Sequence, residues 1–327
     1  MLVAEISEDP REVAWHPRLA TQIIGHGEVE AHFKKAFDHG KLHHAWLLTG
    51  PKGIGKASLA YRMAGSVLGN KIAAQTQRWI AARAHPDLFV LERQLGDTKP
   101  RKLKAEISVE NARELSAFFS HTSSGGWRVG IVDAADDLNS ESANALLKLV
   151  EEPPAHCLLL LVCHNPGRIL RTMKSRCTRL PLSALSEADT QAVLTSLPLE
   201  PAAKLEDLAL VAQLSTGSPG RALSLLTSEG AKAFAVFIEN KKFSATATIS
   251  IGNRFAGRGA TSDDFNIFVE LLLDWVSGQA VLGAHAKLAE AHAKIAENTR
   301  LTNAFNLDRR QAVIAAIGLV NDALKAA

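Results

Sequence analysis

Residues 45–56 read A-W-L-L-T-G-P-K-G-I-G-K. The apolar run Ala45–Thr49 predicts a buried strand, and the residues that follow Lys56 predict a helix. The loop between them has the spacing Gly50-x-x-x-x-Gly55-Lys56, which lets backbone N–H groups and a lysine surround a phosphate. Strand, glycine-rich loop and helix in this order predict a nucleotide-binding α/β fold. A chance glycine-rich turn is the weaker interpretation.

The groups that ATP hydrolysis requires are missing around this loop. Ala57 stands where a hydrolysing protein has a hydroxyl group for magnesium, and Asp133 follows the apolar strand that ends at Val132. An acid there fits a magnesium-orienting role, although alone it would be read as the end of a strand. Ala134 comes next, and alanine can neither orient nor deprotonate an attacking water. The predicted nucleotide site comprises Gly50, Pro51, Lys52, Gly53, Ile54, Gly55, Lys56, Ala57 and Asp133.

Short apolar runs alternate with helical segments from His44 to Leu182. Such nearly continuous apolar runs are typical of strands buried on both faces, and their alternation with helices predicts a five-stranded parallel sheet covered by helices. The predicted helix Ser140–Glu152 has Ser140 as its N-cap and ends before Pro153 and Pro154. The predicted strands are Ala45–Thr49, Asp87–Glu92, Arg128–Asp133, Cys157–Cys163 and Thr178–Leu182, and the helices include Ala57–Leu68, Val109–Phe119 and Ser140–Glu152.

The pattern becomes helical after residue 182. We expect three domains: the sheet domain at 1–182, a small helical domain at 183–228 and an all-helical domain at 229–327. Phe265, Phe268, Leu272 and Trp275 fall on one helical face, and Asp308 caps a final helix that runs to Lys325. Arg221 opens a helix of the middle domain, where it either reaches a bound nucleotide or faces solvent.

Composition excludes several classes of protein. A net charge of +3 over 327 residues is too small to argue for nucleic-acid binding by charge alone. The N-terminus does not resemble a signal peptide, and the longest apolar run, Leu158–Cys163, is too short to cross a membrane. The three cysteines do not form a pair of CxxC motifs and suggest no disulfide framework. We therefore expect a cytoplasmic protein that does not contact a membrane.

Three other features have ordinary explanations that compete with functional ones. His43, His44 and His85 lack metal-ligand spacing with any cysteine, which favours core or surface roles. The basic stretch 96–104 suits a solvated loop better than a phosphate-backbone contact. Arg176, in the tripeptide Ser175-Arg176-Cys177, is either a solvated charge or a finger that reaches a neighbouring ATP site.

Five segments in a fixed order indicate a known family. They are H-H-A-W-L-L-T-G-P-K-G-I-G-K-A (43–57), H-P-D-L (85–88), V-D-A-A-D-D-L-N (132–139), A-N-A-L-L-K-L-V-E-E-P-P (143–154) and S-R-C (175–177). This set resembles the delta-prime subunits of bacterial DNA polymerase III clamp loaders, which belong to the AAA+ family. The alanines after Asp133 favour delta-prime over the hydrolysing gamma/tau subunits.

The resemblance implies an AAA+ core, a small helical lid and a helical collar that serves in oligomerisation. It implies work with gamma/tau and delta subunits, a sliding clamp and, through the complex, primed DNA, as part of the DNA polymerase III holoenzyme. Arg176 would be the arginine finger supplied in trans. Lys56 and Asp133 would mark a degenerate site that holds ATP or ADP without hydrolysis, and Ile24 and Gly25 would lie near an adenine. Any polymerase activity would belong to the assembly.

One departure from the family concerns zinc. Many relatives hold a zinc ion with four cysteines between the phosphate-loop helix and the H-P-D-L motif. Residues 68–84 contain no cysteine here, so we predict no zinc and expect that segment to rest on packing alone.

Two other functions compete with a non-hydrolysing subunit. An active clamp-loader motor of the gamma/tau kind is supported by Lys56 and Asp133 and opposed by Ala57 and Ala134. A small-molecule phosphotransferase does not explain the helical C-terminal third.

Overall fold

The computed structural model describes residue 9 and residues 12–69, 73–96, 103–121, 126–199, 205–239, 244–256, 261–283 and 286–325. The chain divides into two compact units. The first is Met1–Pro201 with Thr216–Gly220, and the second is Ala202–Ser215 with Arg221–Ala327. The predicted three-domain division, with boundaries after residues 182 and 228, stays a prediction.

The first unit is built on the predicted five-stranded parallel sheet, which the described residues confirm. Its strands are β1 (Ala45–Thr49), β2 (Leu88–Glu92), β3 (Arg128–Asp133), β4 (Cys157–Cys163) and β5 (Thr178–Pro181), in the order β2-β3-β4-β1-β5. All four strand pairs are parallel, with Leu47 opposite Leu161 in the centre. The carboxyl ends of β1, β3 and β4 therefore meet at one edge of the sheet.

Helices pack on both faces of this sheet because alternate strand residues point to opposite sides. Trp46 and Leu48 belong to one core cluster with Phe33, Leu59 and Met63 from the first two helices. Leu47 belongs to the other cluster, together with Leu115 of the fourth helix and Leu146 of the fifth. Burial on both faces accounts for the continuous apolar runs from which the strands were predicted.

The helices of the first unit have the following bounds: α1 Gly27–Asp38, α2 Lys56–Leu68, α3 Ala73–Ala81, α4 Val109–Ser120, α5 Ser140–Glu151, α6 Arg171–Lys174 and α7 Glu187–Ser196, with 3₁₀ turns at Pro17–Leu19, Ala135–Asp137 and Pro166–Arg168. The predicted cap of α5 was wrong by one residue. Asn139 is the N-cap, and its Oδ1 accepts a hydrogen bond from the Ser142 N–H at 2.9 Å. Ser140 is already the first helical residue.

Among its described residues, the regular secondary structure of the second unit is all helical. Its helices are α8 Leu205–Leu214, α9 Pro219–Thr227, whose first two residues belong to the first unit, α10 Glu229–Glu239, α11 Ala245–Asn253, α12 Ser262–Gly283, α13 Ala286–Phe305 and α14 Arg309–Lys325. Phe265, Phe268 and Leu272 are fully buried in its core, as their common face predicted. The cap at Asp308 is confirmed, since its carboxylate accepts from the N–H groups of Arg310 and Gln311.

The basic stretch 96–104 is described only at its two ends. Leu95 and Leu103 form an isolated antiparallel bridge, and the Lys104 N–H donates to the Gln94 carbonyl at 2.8 Å. Lys99, Arg101 and Lys102 lie outside the described residues. Among the described helices, none combines the length and the apolar character needed to cross a membrane.

Candidate nucleotide site and arginine finger

The phosphate loop joins β1 to α2 and has the backbone shape that its glycines predict. Gly50, Gly53 and Gly55 have φ angles of +148°, +79° and +100°, in a region that side chains rarely adopt. Ile54 is fully buried and fixes the loop to the core. Gly55 is the N-cap of α2, and no side chain caps this end of the helix. The first N–H groups of α2 are thus free of a side-chain acceptor and form a cradle that fits a phosphate group.

Lys56 is buried beneath this loop. Only 2% of the residue is exposed, and its Nζ donates hydrogen bonds to the carbonyls of Gly50, at 2.7 Å, and Pro51. Burial lowers the pKa of Lys56 to about 8, against the opposing effect of nearby Cys163 and Asp133. The ammonium group of Lys56 therefore lies against the loop carbonyls and within electrostatic reach of Asp133 at the end of β3, as the motif predicts.

The ends of β2 and β3 bring two acids together. Asp133 ends β3 and is the register partner of Glu92, which ends β2. Burial, followed by the charge of Glu92, raises the pKa of Asp133 to about 6. Ala134 is buried next to Asp133. Asp133 therefore lies at the sheet edge near Lys56, while a methyl group occupies the following position.

Asp136 and His164 are parts of this edge that the sequence reasoning missed. Asp136 is buried and accepts hydrogen bonds from the N–H groups of His164, at 2.7 Å, and Asn165, at 3.2 Å. Burial lowers the pKa of His164 to about 4, with Lys56 as the next contribution, so its ring is neutral near pH 7. The signal was available in principle, because the residue after β4 must lie at the same edge as those after β1 and β3.

A second residue that was missed, His26, links the predicted adenine region to the loop. Its buried Nε2 lies 2.8 Å from the Ile54 carbonyl, to which it donates. Gly25 has a φ of +81°, and a Cβ there would lie 2.3 Å from Cδ2 of Leu185. Ile24 and Gly25 are therefore held beside the phosphate loop by the residue that follows them. Their contact with adenine stays a prediction.

The short segment Thr216–Gly220 closes onto the same loop within the first unit. Ser218 Oγ donates to the Lys52 carbonyl, and the Gly220 N–H donates to the Gly53 carbonyl, both at 2.9 Å. A Cβ on Gly220 would lie 2.8 Å from the Gly53 Cα, so only glycine fits. The backbone of this segment therefore supports the phosphate loop directly.

Arg221, predicted as a nucleotide contact, belongs to the second unit. Its Nη2 pairs there with Glu270 at 3.0 Å and Asp274 at 3.2 Å, both on α12. These two carboxylates account for its position without a nucleotide, and its role at the site stays a prediction.

Arg176 lies between α6 and the edge strand β5, and it is exposed. Its Nη1 donates to the Thr172 carbonyl at 3.0 Å, and its Nη2 pairs with Glu151 Oε1 at 3.1 Å. Among the described residues, its hydrogen bonds and ion pairs are to Thr172, Ser175 and Glu151, rather than to the phosphate loop of its own chain. The role of Arg176 as a finger for a neighbouring site stays a prediction.

In the part of the chain that the structure describes, no group of three or more His, Cys, Asp or Glu side chains could hold a metal ion. Cys157 and Cys163 are buried, and burial raises the pKa of each thiol to about 12.

Comparison with known proteins finds similarity to subunits of DNA polymerase III. Residues 25–186 match the family model described as "DNA polymerase III, delta subunit". The chain is 40% identical over 186 residues to "DNA polymerase III subunit delta'" of Pseudomonas aeruginosa, a match that covers 54% of this chain and 53% of that protein. It is 30% identical over 216 residues to "DNA polymerase III subunit gamma" of Buchnera aphidicola, covering 65% of this chain and 58% of that protein.

These curated matches are partial, since the chain spans little more than half the length of either relative. A solved structure extends the likeness in fold. The crystal structure of a DNA polymerase III gamma subunit-related protein from Thermotoga maritima superposes with a TM-score of 0.50 at 16% identity, covering 90% of this chain and 98% of that one. At that identity the likeness concerns the fold alone. Residues 25–186, just under half of the chain, therefore match the DNA polymerase III delta subunit family, and the curated relatives of this chain include delta-prime subunits of DNA polymerase III.

Proposed function

We propose that this chain is the delta-prime subunit of a bacterial DNA polymerase III clamp loader. In this role it is a non-hydrolysing AAA+ subunit that helps to place a sliding clamp on primed DNA. Its partners are the gamma/tau and delta subunits and, through them, the clamp and the holoenzyme. It works in the cytoplasm, and Arg176 serves the ATP site of a neighbouring subunit.

One combination of residues carries this proposal. The phosphate loop is fully formed, with Lys56 buried beneath it and Asp133 near by. Ala57 and Ala134 stand at the two positions where hydrolysis requires a hydroxyl group for magnesium and a carboxylate for water. This combination fits a subunit that keeps the fold of an ATP-hydrolysing motor but does not hydrolyse ATP.

The fit of the loop to a nucleotide supports a second part of the proposal. The uncapped N-terminus of α2 supplies N–H donors for phosphate oxygens, and Lys56 supplies the positive charge. We therefore propose that the loop binds ATP or ADP without hydrolysing it, and that the chain carries no zinc. Calorimetric titration with each nucleotide tests the first point, with Lys56→Ala as the variant that should lose binding. Elemental analysis of the same preparation tests the second.

Arg176 is expected to act on charge that develops outside its own chain. An arginine supplied to a neighbouring site stabilises the transferring phosphate. Its loss lowers kcat on the order of a thousandfold at the site it serves. The turnover of a whole complex should fall less, because sites that it does not serve remain active.

The test is ATP turnover by the chain alone and by the loader reconstituted with gamma/tau, delta, clamp and primed DNA. We expect no turnover by the chain alone, and DNA-stimulated turnover in the mixture that falls strongly with Arg176→Ala. Arg179→Ala, which removes another exposed arginine close by in sequence, should leave turnover nearly unchanged. Normal turnover by the assembled Arg176→Ala loader would show that the finger assignment is wrong.

One observation favours the alternative of an active gamma/tau-like motor. Glu92 is the register partner of Asp133, so a carboxylate does lie next to the magnesium-orienting position. Arg83 Nη1 lies 3.4 Å from Glu92 Oε1 and holds that carboxylate in an ion pair. Robust turnover by the isolated chain that disappears with Glu92→Gln would establish this alternative and overturn the non-hydrolysing role.

A further inference from the structure

We propose that Glu151 is a positioning residue for Arg176. It holds the guanidinium in the orientation from which the arginine reaches a neighbouring ATP site. This inference rests on the proposed function, and it adds a residue that acts through the finger without touching the nucleotide.

A hydrogen bond and an ion pair orient the guanidinium group of Arg176. Nη1 donates to the Thr172 carbonyl at 3.0 Å, and Nη2 pairs with Glu151 Oε1 at 3.1 Å. Contacts to two different nitrogens fix the plane of the guanidinium as well as its position. A guanidinium carries five N–H donors, so donors remain for phosphate oxygens after both contacts are made.

The position of Glu151 in its helix makes a purely local role a poor explanation. It is the last residue of α5, where a negative charge is unfavourable with respect to the helix dipole. Pro153 and Pro154 follow closely, and the restriction they place on the preceding backbone helps to fix where α5 ends. The chain thus presents a carboxylate from a fixed helix end, at a place where helix stability alone would favour a cation.

The charged residues near Arg176 in the sequence also support a positioning role for Glu151. The stretch 153–186 contains no Asp or Glu, whereas its cations are Arg168, Arg171, Lys174, Arg176 and Arg179. A carboxylate for the finger must therefore come from another element, and α5 supplies it. Repulsion from the neighbouring cations would otherwise leave the long side chain of Arg176 free to swing into solvent.

The expected effect is modest because the pair is exposed. The side chains of Arg176 and Glu151 are 41% and 43% accessible, and ion pairs of that kind are weak and screened by salt. We expect Glu151→Gln to lower the DNA-stimulated kcat of the assembled loader about two- to fivefold, with the KM for ATP unchanged, since the finger acts on the transition state. Rising salt should reduce this difference between wild type and variant.

Glu152 provides a matched control, because it is the adjacent glutamate, is also exposed and forms no ion pair with Arg176 among the described contacts. The experiment measures kcat and KM in loaders that contain wild type, Glu151→Gln, Glu152→Gln, Arg176→Ala and the Arg176→Ala/Glu151→Gln double variant. The inference requires a loss with Glu151→Gln, none with Glu152→Gln, and no additional loss from Glu151→Gln once Arg176 is absent.

Two results would overturn the inference while leaving the proposed function intact. One is a Glu151→Gln loader that matches wild type although Arg176→Ala is severely impaired. The other is an equal loss from Glu151→Gln in the presence and absence of Arg176, which would mean that Glu151 acts on assembly or stability. An Arg176→Ala loader with normal turnover would overturn the proposed function, and this inference with it.

Discussion

At the scale of single residues, burial determines the charge state of the phosphate loop. Lys56 is almost completely enclosed, and its ammonium group rests on two loop carbonyls. Removing a charged group from water is costly, and hydrogen bonds to neutral carbonyls offset only part of that cost. The loop thus holds a cation whose burial is unfavourable for the stability of the fold, and whose placement fits the proposed binding of phosphate.

The burial of Lys56 predicts that the free energy of unfolding depends on pH. Burial lowers the pKa of Lys56 from 10.5 to about 8, so between these values the unfolded chain binds more protons than the folded one. Stability must then rise with pH across that window. The free energy of unfolding of wild type, relative to Lys56→Met, should increase by roughly 2 kcal/mol from pH 7.5 to 9.5.

Urea unfolding followed by tryptophan fluorescence measures this difference, because four of the five tryptophans (Trp15, Trp46, Trp79 and Trp127) lie in the first unit. Lys52→Met provides the control, since Lys52 is an exposed lysine of the same loop. A difference between wild type and Lys56→Met that stays constant with pH would contradict the buried-cation account.

At the scale of elements, the strands were predicted well and the contacts between elements were not. β1, β3 and β4 have the predicted bounds because their residues are apolar and buried on both faces. The roles of Asp136 and His26 depend on backbone groups distant in sequence, at His164 and Ile54. No local pattern encodes such a contact, which appears only once the sheet has brought the loops together.

The N-cap of α5 gives a direct test at this scale, because two adjacent residues compete for the role. Asn139 accepts the Ser142 N–H, whereas Ser140 is the first residue of the helix. We expect Asn139→Ala to lower the free energy of unfolding by about 1 kcal/mol and Ser140→Ala to change it by much less. Urea unfolding of both variants decides between the assignments, and a larger loss from Ser140→Ala would restore the cap expected from the sequence.

At the scale of the whole molecule, the two compact units have separate cores. Leu47 lies in the centre of the sheet unit and Phe268 in the core of the helical unit, and both are fully buried. Chains with more than one core commonly unfold in more than one step, so a single free energy of unfolding need not describe this protein.

A core truncation in each unit should therefore act mainly within that unit. We expect Leu47→Ala to cost about 2–5 kcal/mol and Phe268→Ala about 3–5 kcal/mol, since each leaves a cavity in a packed core. Hydrogen exchange of the full-length chain, read by mass spectrometry, locates the effect. Leu47→Ala should speed exchange in β1 and β4 and leave α12 and α14 nearly unchanged, with the converse for Phe268→Ala. Equal acceleration of exchange in both units by either variant would mean that the chain unfolds as one cooperative body. The stability of the backbone around Arg176 would then depend on the helical unit as much as on the sheet.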